Sequence, residues 1–217
     1  LLFGNFTLEG LLVNAIVLLV GMTVHEFAHN YVAHRMGDPE PRRLGRLTLN
    51  PFVHINWIGW LMFVVLGFGI LGSAPISPYR MPATNRRWRW LAAVAAGPLS
   101  NLLIAVVFAI VVRIIGLQNV FALPDFFTSL LFRMIELNVL LFVFNLIPLF
   151  PLDGWNVVLA LLPPEPAYKW EQWRQYSYYV FIGLILLSFL RLPGIPNILG
   201  VLVSQPSGAV LRLLLGL

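Results

Sequence analysis

Val24-His25-Glu26-Phe27-Ala28-His29 is a His-Glu-x-x-His set inside an apolar run that begins near Leu11. On a helix, positions i and i+4 share one face, so His25 and His29 can offer their imidazoles to one metal ion while Glu26 lies close beside them. The run Leu11 to Gly21 (LLVNAIVLLVG) leads straight into the motif, which puts three ionisable side chains where bilayer or dense protein surrounds them. Ionisable groups are costly in a membrane and mark function there by default. The plain alternative is a satisfied pair of core histidines, or a chance match to a short motif.

Composition narrows the choice. Across 217 residues, 59% are hydrophobic and 11% charged, and the mean hydropathy is +0.84; soluble domains average about 45–50% apolar and about 25% charged. These values describe a polytopic membrane protein. There is no cysteine, so a metal must be held by His and carboxylate, and neither disulfides nor thiolates are available. The first run lacks a basic flank and contains the metal motif, so it is not expected to be a cleaved signal. The net charge of +5 is carried by arginines at segment ends, which is a topology signal. No basic stripe with interleaved aromatics suits a nucleic acid, and none is expected as a partner. Trp57, Trp60, Trp88, Trp90, Trp170 and Trp173 lie near segment ends as interfacial anchors do.

Outward from the motif, a first helix is expected from about Leu8 to Met36, stopped by Gly37-Asp38-Pro39. Gly45 to Asn50, with alternating Leu and Thr between Gly and Pro, reads as a short strand or extended segment. Ile55 to Gly72 is apolar but short and carries Gly59, Gly67, Gly69 and Gly72. Further apolar runs cover Trp90 to about Gly116, Phe126 to Ile147, Tyr176 to Leu190 and Ile198 to Leu217, the last two separated by Arg191-Leu192-Pro193-Gly194. The expected fold is an all-α polytopic membrane protein of five to six transmembrane helices, with a short β or re-entrant element between the first two core helices. It forms a single membrane-embedded domain over 1–217, its core at about 8–162 and its C-terminal helices at about 176–217.

Two histidines do not complete a site, and neither His34 nor His54 is well spaced to be a third. Asp153 stands out in Asn145-Leu146-Ile147-Pro148-Leu149-Phe150-Pro151-Leu152-Asp153-Gly154, an acid in an apolar region loosened by two prolines and a glycine. Unwound backbone at membrane depth is tolerated where it lines a cavity or is packed in protein. His25, His29, Asp153 and one water would make an open tetrahedral zinc site. Asp153 could equally cap a short helix at Gly154 to Leu162, and the two roles are compatible.

These motifs together resemble the site-2 protease family of intramembrane zinc metalloproteases. The resemblance rests on His25-Glu26-Phe27-Ala28-His29, on Ala96-Gly97-Pro98-Leu99-Ser100-Asn101, on the Asn-x-x-Pro and Leu-Asp-Gly elements of Asn145 to Gly154, and on Gly45 to Pro51. It covers roughly Leu8 to Leu162, and the final spans match in hydropathy only. The sequence leaves no room for the PDZ or CBS domains of some branches, so a compact form is expected, and the upstream span of some relatives is either absent or not included in this sequence. The resemblance further implies one Zn2+ per chain held by His25, His29 and Asp153, Glu26 as general base, and Asn145 beside the substrate strand. The implied activity is endoproteolysis of single-pass transmembrane proteins, that is, regulated intramembrane proteolysis in a bacterial, archaeal or organelle membrane. Asn101 and His54 are possible outer partners of the ligands, although an interhelical hydrogen bond for Asn101 and a loop anchor for His54 are the simpler roles.

Rival readings are a prenyl-protein endopeptidase, which would take a glutamate such as Glu136 as third ligand, and a transporter or inactive homologue. Topology follows from the arginines. Arg35, Arg42, Arg43 and Arg46 precede Ile55 to Gly72, and Arg80, Arg86, Arg87 and Arg89 follow it; both groups belong in the cytoplasm by the positive-inside rule. Ile55 to Gly72 would then be a re-entrant or interfacial hairpin rather than a sixth crossing. That gives five full spans, a cytoplasmic C-terminus and an active site near the cytoplasmic face.

Overall fold

The computed structural model describes residues 7–66, 69, 72–190 and 196–216. Helix α1, Leu8–Arg35, starts at Thr7, whose hydroxyl accepts from the Gly10 amide at 3.1 Å, and Glu9 sits in its first turn where a negative charge suits the helix dipole. It ends at Met36, followed by Gly37 at φ 103°, a conformation other residues resist and one that also lets Pro82 pack against the turn. Three short helices follow: α2 (Glu40–Arg43), α3 (Pro51–His54) and α4 (Trp57–Leu66). Then come α5 (Arg86–Ile115), α6 (Leu117–Phe121) and α7 (Asp125–Asn145). A looped segment leads to α8 (Asp153–Leu161), α9 (Pro164–Gln172), α10 (Arg174–Leu190) and α11 (Ile198–Leu215).

The centre is a three-helix unit of α1, α5 and α7, with α11 laid against α7. Val13, Val17 and Leu18 of α1 meet Met134, Leu137 and Leu141 of α7, while Ala105, Ala109 and Val112 of α5 meet Ile135, Val139 and Val143. Small residues on α5 permit close approach, which is how helices associate where lipid supplies no hydrophobic drive. The opposite faces of these helices, including Leu12 and Ile16 on α1 and Leu103 and Ile114 on α5, stay apolar and exposed. In water that would be a liability; against acyl chains it is the compatible surface.

The span count departs from the sequence expectation. Among the described residues four helices are long and apolar enough to cross a membrane: Leu8–Arg35, Arg86–Ile115, Asp125–Asn145 and Ile198–Leu215. Within the described residues α4 has 10 residues and α10 17, fewer than the roughly 20 a crossing usually takes. The chain is a multi-pass integral membrane protein, and its described residues supply four membrane-length helices, not the five or six expected.

The expected β or re-entrant element is likewise corrected: the described residues contain no strand, only one isolated antiparallel bridge between Ile55 and Gly72. The physical reason lies in where Gly45 to Asn50 sends its hydrogen bonds. Gly45 takes φ 65°, the Asn50 side chain caps α3 at the Phe52 amide, His54 Nε2 donates to Thr48 O at 2.7 Å, and Arg46 holds Val53 O. Turns and side chains thus use the groups a strand partner would need. Gly67 of the supposed hairpin and the separator Arg191 to Gly194 lie outside the described residues.

Polar contacts fix the arginine-rich segments at one end of the bundle. Asp38 is fully buried and accepts from the amides of Ser77 (2.9 Å) and Glu40 (3.1 Å) and from Arg80 Nε (2.7 Å) and Nη2 (2.9 Å). Arg89 Nη1 donates to Met36 O at 3.0 Å. The end of α1 and the start of α5 therefore share a face. Helix α11 finishes at the other end, where Arg113 Nη2 donates to Leu213 O at 3.4 Å. The charge pattern had grouped the C-terminus with the arginine-rich loops, whereas the packing puts the close of α11 opposite them.

Candidate metal centre

The i, i+4 spacing does what helix geometry demands. His25 Nε2 and His29 Nε2 face each other at 3.0 Å on the buried side of α1. Asp153 Oδ2 lies 3.1 Å from each of them. It arrives from the first turn of α8, and its approach depends on Gly154: a Cβ there would sit 2.3 Å from Leu146 O and 2.4 Å from Ile147 O, so the segment after α7 can fold back only over a glycine.

Both imidazoles are oriented from behind. His29 Nδ1 donates to Ala93 O at 2.8 Å, and a backbone carbonyl can only accept. His25 Nδ1 donates to Asn101 Oδ1 at 2.7 Å. Each ring then carries its proton on Nδ1 and turns the Nε2 lone pair inward, the tautomer a metal ligand needs. Two such lone pairs and a carboxylate oxygen in a buried triangle repel one another unless a cation lies among them. Tetrahedral zinc with N and O ligands sets its donors about 3.3 Å apart, close to the 3.0–3.1 Å seen.

Gly97 supplies an independent fit test. A Cβ added there would lie 2.2 Å from His29 Nε2 and 2.7 Å from His25 Nε2, in the cradle between the two nitrogens at about metal–ligand distance. Helix α5 passes over the imidazoles at its only side-chain-free point, one residue before Pro98. The donor set and the cradle fit a divalent ion of zinc type, so the cluster could hold a metal.

Glu26 is buried beside this triangle, and its Oε2 has no hydrogen-bond partner among the described residues. The backbone of Gly72 covers it so closely that a Cβ would lie 2.7 Å from Oε1. Glu26 shares a cavity of about 10 Å³, room for about one water, with Thr23, His54, Trp60 and the apolar Leu19, Met22 and Ile55. His54 is placed in this wall by its loop bond to Thr48 and touches neither imidazole in any recorded hydrogen bond.

Asn145, half-buried at the end of α7, donates to Leu141 O at 3.0 Å within its own helix, and none of its recorded bonds reaches the triangle. Glu136, the acid required by the prenyl-endopeptidase reading, is half-exposed and paired with Arg133 at 2.9 Å. His34 reaches Asp38 O at 3.4 Å at the end of α1. Sequence reasoning missed Ala93 O, Gly97 and Gly72 as parts of the site; the carbonyl is invisible in residue identity, and the glycines read as packing or bending points. It also missed Asn138, which donates to Met134 O and accepts from Asn101 Nδ2 at 2.9 Å. A polar residue in the middle of an apolar run was the available signal.

No family model matches the chain, and no solved structure matches it. Curated proteins do. The chain is 37% identical over 152 residues to “Putative zinc metalloprotease YwhC” of Bacillus subtilis (strain 168), covering 69% of this chain and 68% of that one. It is 32% identical over 167 residues to “Putative zinc metalloprotease Rip2” of Mycolicibacterium smegmatis, covering 60% of that protein. With “Zinc metalloprotease MJ0392” of Methanocaldococcus jannaschii it shares 29% over 189 residues, which is 87% of this chain and 45% of that one. Given this repeated similarity, a buried His/His/Asp cluster and several membrane-length helices, the chain belongs to the site-2 protease superfamily of membrane zinc metalloproteases.

Proposed function

We propose that the protein is an intramembrane endopeptidase that uses one Zn2+ per chain, held by His25, His29 and Asp153, to hydrolyse peptide bonds of single-pass transmembrane proteins. The observation that carries this reading is the convergence of two Nδ1-protonated imidazoles and one carboxylate on a cradle that a single methyl group at Gly97 would fill. A bound Zn2+ supplies Lewis acidity to a peptide carbonyl and lowers the pKa of a water to about 7.

The chain's own residues do the rest. Asn101 and the Ala93 carbonyl keep both Nε2 lone pairs inward, and Gly97 leaves the space between them open. Glu26, whose Oε2 has no partner among the described residues, takes the proton of the attacking water there and returns it to the departing amine nitrogen. Leu19, Met22 and Ile55 give its cavity an apolar wall, which strengthens charge interactions there. A transmembrane helix hides its carbonyls in i to i−4 bonds, so the substrate must unwind before Glu26 can act, and we assign Asn145, at the end of α7, to hydrogen-bond the opened segment once it is released from Leu141 O. The arginine-rich loops beside the site favour a cytoplasmic active-site face.

The test is a comparison of membrane proteomes from cells carrying wild-type protein or Glu26→Gln. Uncleaved fragments of single-pass proteins are expected to accumulate only with the variant; identical membrane-protein patterns, with both proteins expressed and folded, would refute the proteolytic reading.

A further inference from the structure

Behind His25 the hydrogen bonding runs on across the bundle, and every step has a fixed direction. Asn101 and Asn138 are both wholly buried. Asn138 Nδ2 donates to Met134 O at 2.9 Å, and because that carbonyl can only accept, the Asn138 amide turns its oxygen the other way. There Oδ1 accepts from Asn101 Nδ2 at 2.9 Å. The second N–H of the same Asn101 nitrogen goes to Gly21 O at 3.0 Å. Both donors of Asn101 are thus spent on acceptors, and its oxygen is left for His25 Nδ1 at 2.7 Å.

We infer that Asn138 of α7 is a positioning residue for the metal ligand His25, acting through Asn101 to hold the imidazole with its proton on Nδ1. The inference rests on the assignment of His25 as a ligand. A reversed Asn101 amide would point its oxygen at both Asn138 Oδ1 and Gly21 O, and would leave His25 Nδ1 to accept, moving the ring proton onto Nε2 where the metal must bind. With Asn138 absent only Gly21 O opposes that reversal, and one buried N–H of Asn101 is left unmade, a costly state in an apolar interior. Helix α7 bears neither imidazole, yet in this way it takes part in setting the ligand geometry.

Gly21 offers an independent handle. A Cβ there would lie 2.9 Å from Asn138 Oδ1 and 3.5 Å from Asn101 Nδ2, so α1 touches the relay at a point with no side chain. Gly21→Ala would push the Asn138 amide aside while deleting no polar group. Asn138→Asp is the conservative control: in its protonated form the carboxyl offers the same donor and acceptor in the same shape.

Two readouts on the whole protein in detergent test this: the ring 15N chemical shifts of His25 in metal-free protein, which report the tautomer, and Zn2+ affinity by competition with a chromophoric chelator. Asn138→Leu and Gly21→Ala are expected to weaken Zn2+ about tenfold, the lower range for lost outer partners, and to shift His25 toward the Nε2-protonated form; Asn138→Asp restores both. The inference is overturned if Asn138→Leu keeps wild-type shifts and affinity, or if Asn138→Asp loses as much as Asn138→Leu. Should Asn138→Leu fail to fold, Gly21→Ala decides by the same criteria. Absence of Zn2+ binding by the wild type would instead refute the ligand assignment, while the shifts would still report whether Asn138 sets the tautomer.

Discussion

At the scale of single residues the site is governed as much by missing side chains as by present ones. Gly97 lies over the imidazoles and Gly72 over Glu26, and a methyl at either would collide. Their expected phenotypes differ. Gly97→Ala places carbon between His25 and His29, so zinc affinity should drop by more than about a hundredfold, beyond the range for outer partners. Gly72→Ala displaces only the Glu26 carboxylate; metal content should stay near one equivalent while turnover falls about 10- to 1,000-fold, within the worth of a general base. Metal analysis and peptide cleavage on the same preparations separate the two, and parallel loss of metal in both variants would contradict the division of roles. The convergence of His25, His29 and Asp153 was legible because metal ligation calls for particular side chains at fixed spacing. Ala93 O was not, because a backbone acceptor leaves no mark in the sequence.

At the scale of elements, Asp38 ties the segment around Ser77 to Arg80 to the end of α1, and that segment follows directly on Gly72. Burial on its own would raise the Asp38 carboxyl, but the Arg80 fork and the Ser77 and Glu40 amides prevail and hold it below the usual carboxylate range. A depressed native pKa contributes stability that is present above the unfolded value of about 3.9 and lost as pH falls through the native one. Melting of the detergent-solubilised protein should therefore show an Asp38 contribution that is flat from neutral pH down to about pH 5 and declines below it. Asp38→Asn should lower stability by about 1–2 kcal/mol at neutral pH and flatten the acid decline; Arg80 is 37% exposed and can be rehydrated, which keeps the loss modest. An unchanged acid profile in the variant would remove Asp38 from this role. The elements themselves were unevenly legible. Helices α1, α5 and α7 announce themselves by length and hydropathy, but Gly45 to Asn50 alternates like a strand and is not one, since Gly45 turns the chain and Asn50 caps α3. Trp90, read as an interfacial anchor, is instead packed with Ala33, Met81 and Ala160.

For the whole molecule, the counts of apolar runs and of helices able to cross differ for a simple reason: hydropathy sums over residues, whereas crossing requires unbroken helical length. Among the described residues α4 supplies ten and α10 17, below the usual length. The packing of the four membrane-length helices puts the end of α1 and the start of α5 at one end of the bundle and the end of α11 at the other. The chain has no cysteine of its own, so single cysteines are clean reporters. Arg43→Cys and Arg86→Cys should react with an impermeant thiol reagent from one side of the membrane and Gly216→Cys from the opposite side; labelling of all three from the same side would contradict the packing of α11.

The central claim is that His25, His29 and Asp153 hold zinc and that Glu26 then moves the proton. Its most direct measurement is zinc content and cleavage of a transmembrane peptide on the same purified preparations of wild type, Glu26→Gln and Asp153→Ala. The account predicts close to one zinc per chain with cleavage for the wild type, undiminished zinc without cleavage for Glu26→Gln, and loss of both for Asp153→Ala. Full zinc in Asp153→Ala, or appreciable cleavage by Glu26→Gln, would contradict it.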